Sequence, residues 1–163
     1  MTHDYSGPEL CALSAVEAVE ALAKGEVSPT ELLDAALTRI AEVEPAINAL
    51  PTLCEDRARD HVARLDRKDA ATWLHGLPIA IKDLTAVSGV RTTFGTKGLA
   101  DFVPEESDPI VDVMERRGCV VIAKSNTPEM GAGANTFNEV FGRTRNPWDT
   151  TLNPGGSSGG ASS

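Results

Sequence analysis

At 163 residues with 41% hydrophobic side chains, the chain is long enough to bury one sizeable core and is not disordered by composition. Twenty-four acidic residues against fifteen basic ones leave a net charge of -9, which disfavours a sequence-blind grip on nucleic acid or on an anionic membrane. Three cysteines, Cys11, Cys54 and Cys119, stand far apart with no Cys-x-x-Cys pair, so neither a disulfide framework nor a zinc site is indicated, and reduced thiols fit a cytoplasmic protein. Residues 1–8 lack the basic-then-apolar order of an export signal, and no stretch approaches the roughly 20 apolar residues of a membrane span.

In chain order, Ser14 and Glu17 form a capping-box pair ahead of Val16, Val19, Leu22 and Ala23, with Gly25 as a left-handed stop: a short helix. Ser28 opens a second helix, with Pro29 at its first position, Glu31 at its third, and Leu32, Leu33, Ala36, Leu37, Ile40 and Val43 on one face until Pro45. Residues 47–50 fit a brief strand, and 54–67 a third helix with Ala58, Val62 and Leu65 inward. After Gly76 the pattern changes. The apolar run 77–81 is too short for a helix and reads as a buried strand ending at Lys82 and Asp83. Asp108 caps a helix opened by Pro109 and closed by Gly118, and the next run, 119–123, is a second buried strand. Strand, crossover helix and strand imply parallel pairing with a right-handed connection in an α/β sheet. The connection from Asp83 to Ser107, spaced by Gly89, Gly95 and Gly98, fits a surface flap or hairpin.

Ligand sites in open α/β sheets lie at the carboxyl ends of strands, and Lys82 and Lys124 both stand there, placed to face one crevice. Such a lysine binds a carboxylate or phosphate, acts as a base if burial holds it neutral, or is simply a solvated charge. The tract Gly-Gly-Ser-Ser-Gly-Gly at 155–160 has three readings. As a phosphate loop it lacks the closing lysine, as a linker it is compositionally ordinary, and as a catalytic loop it lets a serine relay protons. His3, His61 and His75 are scattered and build no Ser-His-Asp arrangement, and Asp83 and Glu129 show no paired-carboxylate spacing.

Four segments occur in the order found in amidase-signature hydrolases: Gly-Leu-Pro-Ile-Ala-Ile-Lys-Asp at 76–83, Ala-Lys-Ser-Asn-Thr-Pro-Glu-Met at 123–130, Gly-Arg-Thr-Arg-Asn-Pro-Trp at 142–148, and Pro-Gly-Gly-Ser-Ser-Gly-Gly at 154–160. The chain resembles that family from the Ser14 helix to its last residue. The resemblance implies an α/β fold with a mixed, partly parallel sheet flanked by helices. Residues 1–75 would form an N-terminal helical layer, and 76–163 the start of the α/β core, incomplete at its C-terminal side. It implies a Ser-Ser-Lys triad in which Lys82 is the base and Ser157, following a cis peptide from Gly156, is the relay. Ser158 would support the loop by hydrogen bonds, and Gly155 and Gly156 would shape it. Met130, Gly131 and Gly133, in the substrate-side segment 130–136, would line the acyl pocket.

The family's attacking serine lies roughly two dozen residues after the relay, in a Gly-Gly-Ser stretch that also supplies oxyanion-hole amides. Residues 158–163 do not reach it, so the chain is expected to lack the nucleophile and to be inactive alone. The implied chemistry is hydrolysis of a small amide through an acyl-enzyme, with no metal and no organic cofactor; a homodimer is left open for the longer protein. Two other readings stand beside it: the glutamine-amidase subunit of a tRNA-dependent amidotransferase, from whose pattern Thr127-Pro128-Glu129-Met130 departs, and a non-catalytic remnant acting as a binding module.

Overall fold

The computed structural model describes residues 7–66 and 69–163. Helices α1 (Ala15–Lys24) and α2 (Pro29–Ile47) open as their sequences predict. Ser14 Oγ accepts from Glu17 N at 3.3 Å while Ser14 N donates to the Glu17 carboxylate at 2.8 Å, and Ser28 with Glu31 repeats the pair at 3.2 and 2.8 Å. Each cap is worth about 1 kcal/mol. Gly25 closes α1 with φ 74°, and the buried Leu22 and Leu33 each contribute roughly 1.5–3 kcal/mol by leaving water.

Helix α2 runs past Pro45 instead of stopping there. Proline removes one N–H and crowds the preceding turn, a cost that is smallest where only the end of the helix remains to be built. The stop comes at Asn48, left-handed at φ 55°, and the Glu44 carboxylate accepts from Ala49 N at 3.0 Å and Leu50 N at 2.6 Å. That left-handed residue rules out the strand expected over 47–50. The strand, β1, is Thr52–Leu53. Helix α3 is Glu55–Arg64, shorter than the expected 54–67, with Cys54 as its N-cap and Leu65 as its C-cap; Arg67 lies outside the described residues.

Strand β2 is Pro78–Lys82, α4 is Pro109–Arg116 and β3 is Val120–Ser125. β2 and β3 pair parallel, β1 joins the other side of β3 antiparallel, and the order is β1-β3-β2. The architecture is therefore α/β with a mixed, partly parallel sheet flanked by helices. Every residue of β3 is buried. Val120, Ile122 and Ala123 pack with Leu33, Ile40 and Ala58 from α2 and α3; Val121 packs on the other face with Ile81, Val87, Val90 and Val111. Two consecutive residues, Ile122 and Ala123, share one cluster because the register shifts: Ile79 pairs with Val121, but Ala80 pairs with Ala123. This β-bulge reverses the sidedness of the later residues of β3.

The connection from Asp83 to Ser107 is no surface flap. Val87 and Val90 enter the core and bridge each other, Thr92 and Thr93 are fully buried, and Asp108 closes the loop by accepting from Ala86 N at 2.9 Å. It is a wall against one face of the sheet. Strands β4 (Phe137–Asn138) and β5 (Gly142–Arg143) make a separate antiparallel pair, and a single turn, α5 (Gly159–Ser162), ends the chain. Among the described residues no helix is long and apolar enough to cross a membrane.

Candidate active site

Lys82 is the last residue of β2, paired with Ser125, and it emerges on the sheet face that the loop before α5 approaches. Its Nζ donates to Ser157 Oγ at 2.8 Å and to Ser158 Oγ at 2.9 Å. Burial pushes its ammonium below the ordinary lysine range, and among the described residues no carboxylate raises it again. A lysine in this setting releases a proton more readily than one in water, and a serine hydroxyl lies within reach of the freed lone pair.

The loop carrying the two serines is held from several sides. Gly155 takes φ 83°, its N–H donates to Asn153 Oδ1 at 2.8 Å, and the Gly156–Ser157 peptide is cis. Thr136 Oγ1 donates to Gly155 O and accepts from Gly159 N, both at 2.9 Å, and Gly160 N reaches Asn126 O at 3.3 Å. Gly156 lies against the backbone of Ala134 and Asn135, where a Cβ would come within 3.1 Å, so segment 130–136 abuts the serine loop. Met130 stands 60% exposed with φ 49° and donates its N–H to Phe94 O at 2.7 Å. Gly131, at φ 73°, presses on Leu84, and Gly133 lies beside Pro128. The hydrogen bonds of Lys82 go to Ser157 and Ser158; Met130, Gly131 and Gly133 belong to the adjoining segment.

Lys124 does not share the crevice expected for both lysines. It pairs with Ile81, one position before Lys82, and its fully buried Nζ donates to Thr85 O at 2.6 Å and Thr92 Oγ1 at 2.8 Å. Asp83 Oδ1 lies 3.5 Å away, also fully buried, and the Asp83 carboxylate accepts from Thr93 N and from Thr93 Oγ1 as well. Burial lowers the Lys124 ammonium and the Asp83 charge pushes it back.

His61 and His75 take no part. His61 Nδ1 sits 3.4 Å from Glu115, which Arg57 also grips, His75 lies in the turn before β2, and His3 is outside the described residues. Burial pushes the thiols of Cys54 and Cys119 up to about 11. Among the described residues no group of three His, Cys, Asp or Glu side chains could hold a metal ion. What sequence reasoning missed is the buried polar support: Asn126, Thr136, Asn138 and Thr144 are hydrogen-bonded in the interior, and their only signal is a density of small polar residues between the two lysine-bearing motifs and the glycine tract.

The family model described as Amidase matches residues 31–163. The chain belongs to the amidase family. It is 40% identical over 156 residues to a glutamyl-tRNA(Gln) amidotransferase subunit of Thermoanaerobacter pseudethanolicus, covering 94% of this chain and 32% of the relative. It is also 40% identical over 154 residues to an acylamidase of Rhodococcus erythropolis, covering 92% and 32%. The solved structure of 6-aminohexanoate cyclic dimer hydrolase superposes with a TM-score of 0.86 at 33% identity, covering 94% of this chain and 31% of that one. The chain thus spans about a third of the length of the relatives it matches. Equal identity to an acylamidase and to an amidotransferase subunit means that similarity by itself does not choose between these members of the amidase family.

Proposed function

We propose that this chain supplies the base and the proton relay of an enzyme that hydrolyses small carboxylic amides, and that the attacking serine belongs to sequence beyond position 163. The observation that carries the reading is the 2.8 Å contact between Lys82 Nζ and Ser157 Oγ, made by a lysine with no anionic partner among the described residues. With Lys82 neutral, Ser157 gives its hydroxyl proton to the amine and takes one from the attacking serine, whose oxygen then forms the bond to the amide carbon. The proton returns from Lys82 through Ser157 to the departing amine as the carbon–nitrogen bond breaks. Water repeats the relay on the acyl-enzyme and releases the acid. Ser158 holds the second Lys82 N–H and keeps the ammonium aimed at the loop. On this reading residues 1–163 alone turn over no amide, and segment 130–136 forms one side of the acyl pocket.

The test uses a protein that carries these residues together with the sequence beyond them. Trapping with an activated phosphonate and mapping the labelled peptide should place the label on a serine after position 163, and Lys82→Ala should abolish labelling. A label on Ser157 itself would overturn the assignment. The second reading, a glutamine-amidase subunit, has the same support from similarity as the first, 40% identity to the amidotransferase subunit beside 40% to the acylamidase. It predicts ammonia release from glutamine that depends on added partner subunits, whereas a stand-alone amidase cleaves aryl or aliphatic amides without them.

A further inference from the structure

Thr136 stands immediately before β4, fully buried, with its own backbone oxygen accepting from Thr144 N at 3.0 Å. One hydroxyl there meets both ends of the serine loop: it donates to Gly155 O and accepts from Gly159 N, each at 2.9 Å, with Ser157 midway between them. Gly159 fits only because it has no side chain, since a Cβ would lie 2.2 Å from Thr136 Oγ1. Other hydroxyls touch the loop at one point each: Thr127 Oγ1 reaches Ser157 O over a long 3.4 Å, and Ser162 Oγ and Ser163 Oγ donate to Gly159 O at 3.2 and 2.9 Å from the turn that follows it. We infer that Thr136 is a positioning residue for Ser157, a side-chain staple that joins the two ends of the loop and so sets the distance from Ser157 Oγ to Lys82 Nζ.

The chemistry of the staple is selective. It needs a donor and an acceptor on one atom of a short side chain. Valine has the same shape and neither function, and serine keeps both while losing a methyl. A loop displaced by even about 1 Å loses relay geometry while the substrate pocket stays intact, so the loss should fall on kcat and leave KM nearly untouched.

This inference rests on the relay assigned to Ser157, and the experiment separates the two. In the protein extended beyond residue 163, Thr136→Val, Thr136→Ser and Lys82→Ala are compared for amide turnover, normalised to sites titrated with a phosphonate in the first two. Amide exchange is followed over residues 155–160 in all of them. The expected result is a fall in kcat of about 10- to 100-fold for Thr136→Val with KM within about threefold, recovery to within about threefold for Thr136→Ser, and faster exchange at Gly159 only in the valine variant. Thr136→Val with normal kcat beside an inactive Lys82→Ala would overturn the staple and leave the proposed function standing. Full turnover by Lys82→Ala would overturn the proposed function, and exchange at Gly159 would then decide whether the staple holds the loop at all. Should Thr136→Val fail to fold, the unmodified protein still answers: a Gly159 amide that exchanges as fast as an unbonded loop amide overturns the inference.

Discussion

Lys82 and Lys124 lie on neighbouring parallel strands, yet one meets two serine hydroxyls at the edge of the sheet while the other is sealed against a carboxylate on the opposite face. A single register step separates them. Pro78 pairs with Val120, and an unbroken ladder would carry that pairing on to Lys82 beside Lys124. The bulge at Ile122 moves β3 along by one, so that Ser125 stands next to Lys82 and Lys124 turns to the far side. Two like charges that would have crowded one crevice are thereby given different surroundings. One has only desolvation acting on it, which is how a base is made; the other has an anion, which is how a charge is kept.

The largest effect expected from this contrast is on turnover. Lys82→Met should lower kcat/KM for amide hydrolysis by about four orders of magnitude or more if Lys82 is the base proposed above, since among the described residues no other amine adjoins Ser157, while the fold keeps its stability. Lys124→Met should do the reverse. Removing one partner of a buried pair leaves Asp83 uncompensated and should cost about 3–5 kcal/mol in denaturant unfolding, with turnover per folded molecule changed less than about tenfold. A Lys124→Met protein that stays folded but loses as much turnover as Lys82→Met would show that the two faces do not divide the work.

A pH series sharpens the same contrast. The relay proposed above needs neutral Lys82, so kcat/KM should rise about tenfold per pH unit and then level off, with the bend below 10.5 because burial lowers that ammonium. The sign of the stability effect comes from the same shift. Between the folded value and 10.5 the unfolded chain binds more protons at this position than the folded one, so stability contributed by Lys82 rises with pH across that window. Lys82→Met should flatten both curves. Lys124→Met should leave the bend of the rate profile where it is, and a bend displaced by more than about one unit would mean that Lys124 tunes the base through the sheet.

Legibility in the sequence depended on how local each signal is. The Ser14 and Ser28 capping boxes and the left-handed Gly25 are written within a few residues, and the helices start where those residues say. The parallel pairing of β2 with β3 followed from a crossover helix bounded by Pro109 and Gly118. The bulge was not legible, because 119–123 is uniformly apolar and carries no alternation from which a register could be read. For the same reason spacing alone left Lys82 and Lys124 equivalent, and only the four family segments singled out Lys82. Pro45 misled because the N–H it lacks would have bonded back to Ala41 O in the preceding turn, and losing that one bond does not stop the two residues after it from staying helical. Thr136 entered the sequence reading only as the last residue of the substrate-side segment 130–136, since a hydroxyl that bridges residues 155 and 159 acts across a gap that no local pattern reveals.

The smallest expected effect lies farthest from both lysines and tests whether the contrast is local. Ser14 caps α1 through two hydrogen bonds, and α1 buries Ala18 and Leu22 in a cluster with Leu32 and Leu77 that includes neither lysine. Leu77, however, directly precedes β2, and its carbonyl accepts from Val120 N at 2.9 Å, so a route from the cap to the sheet exists in principle. If packing transmits little along it, Ser14→Ala should cost about 1 kcal/mol in unfolding and change kcat/KM by less than about twofold. The loss should be full at neutral pH and shrink in acid, because hydrogen bonds from the Ser14 backbone and hydroxyl hold the Glu17 carboxylate below its ordinary value, and protonating it weakens the box that Ser14 completes. A displaced rate profile in Ser14→Ala would instead mean that the position of β2, and with it the reach of Lys82 toward Ser157, depends on the helical layer, and the division between the two faces would have to be extended to the N-terminal helices that support them.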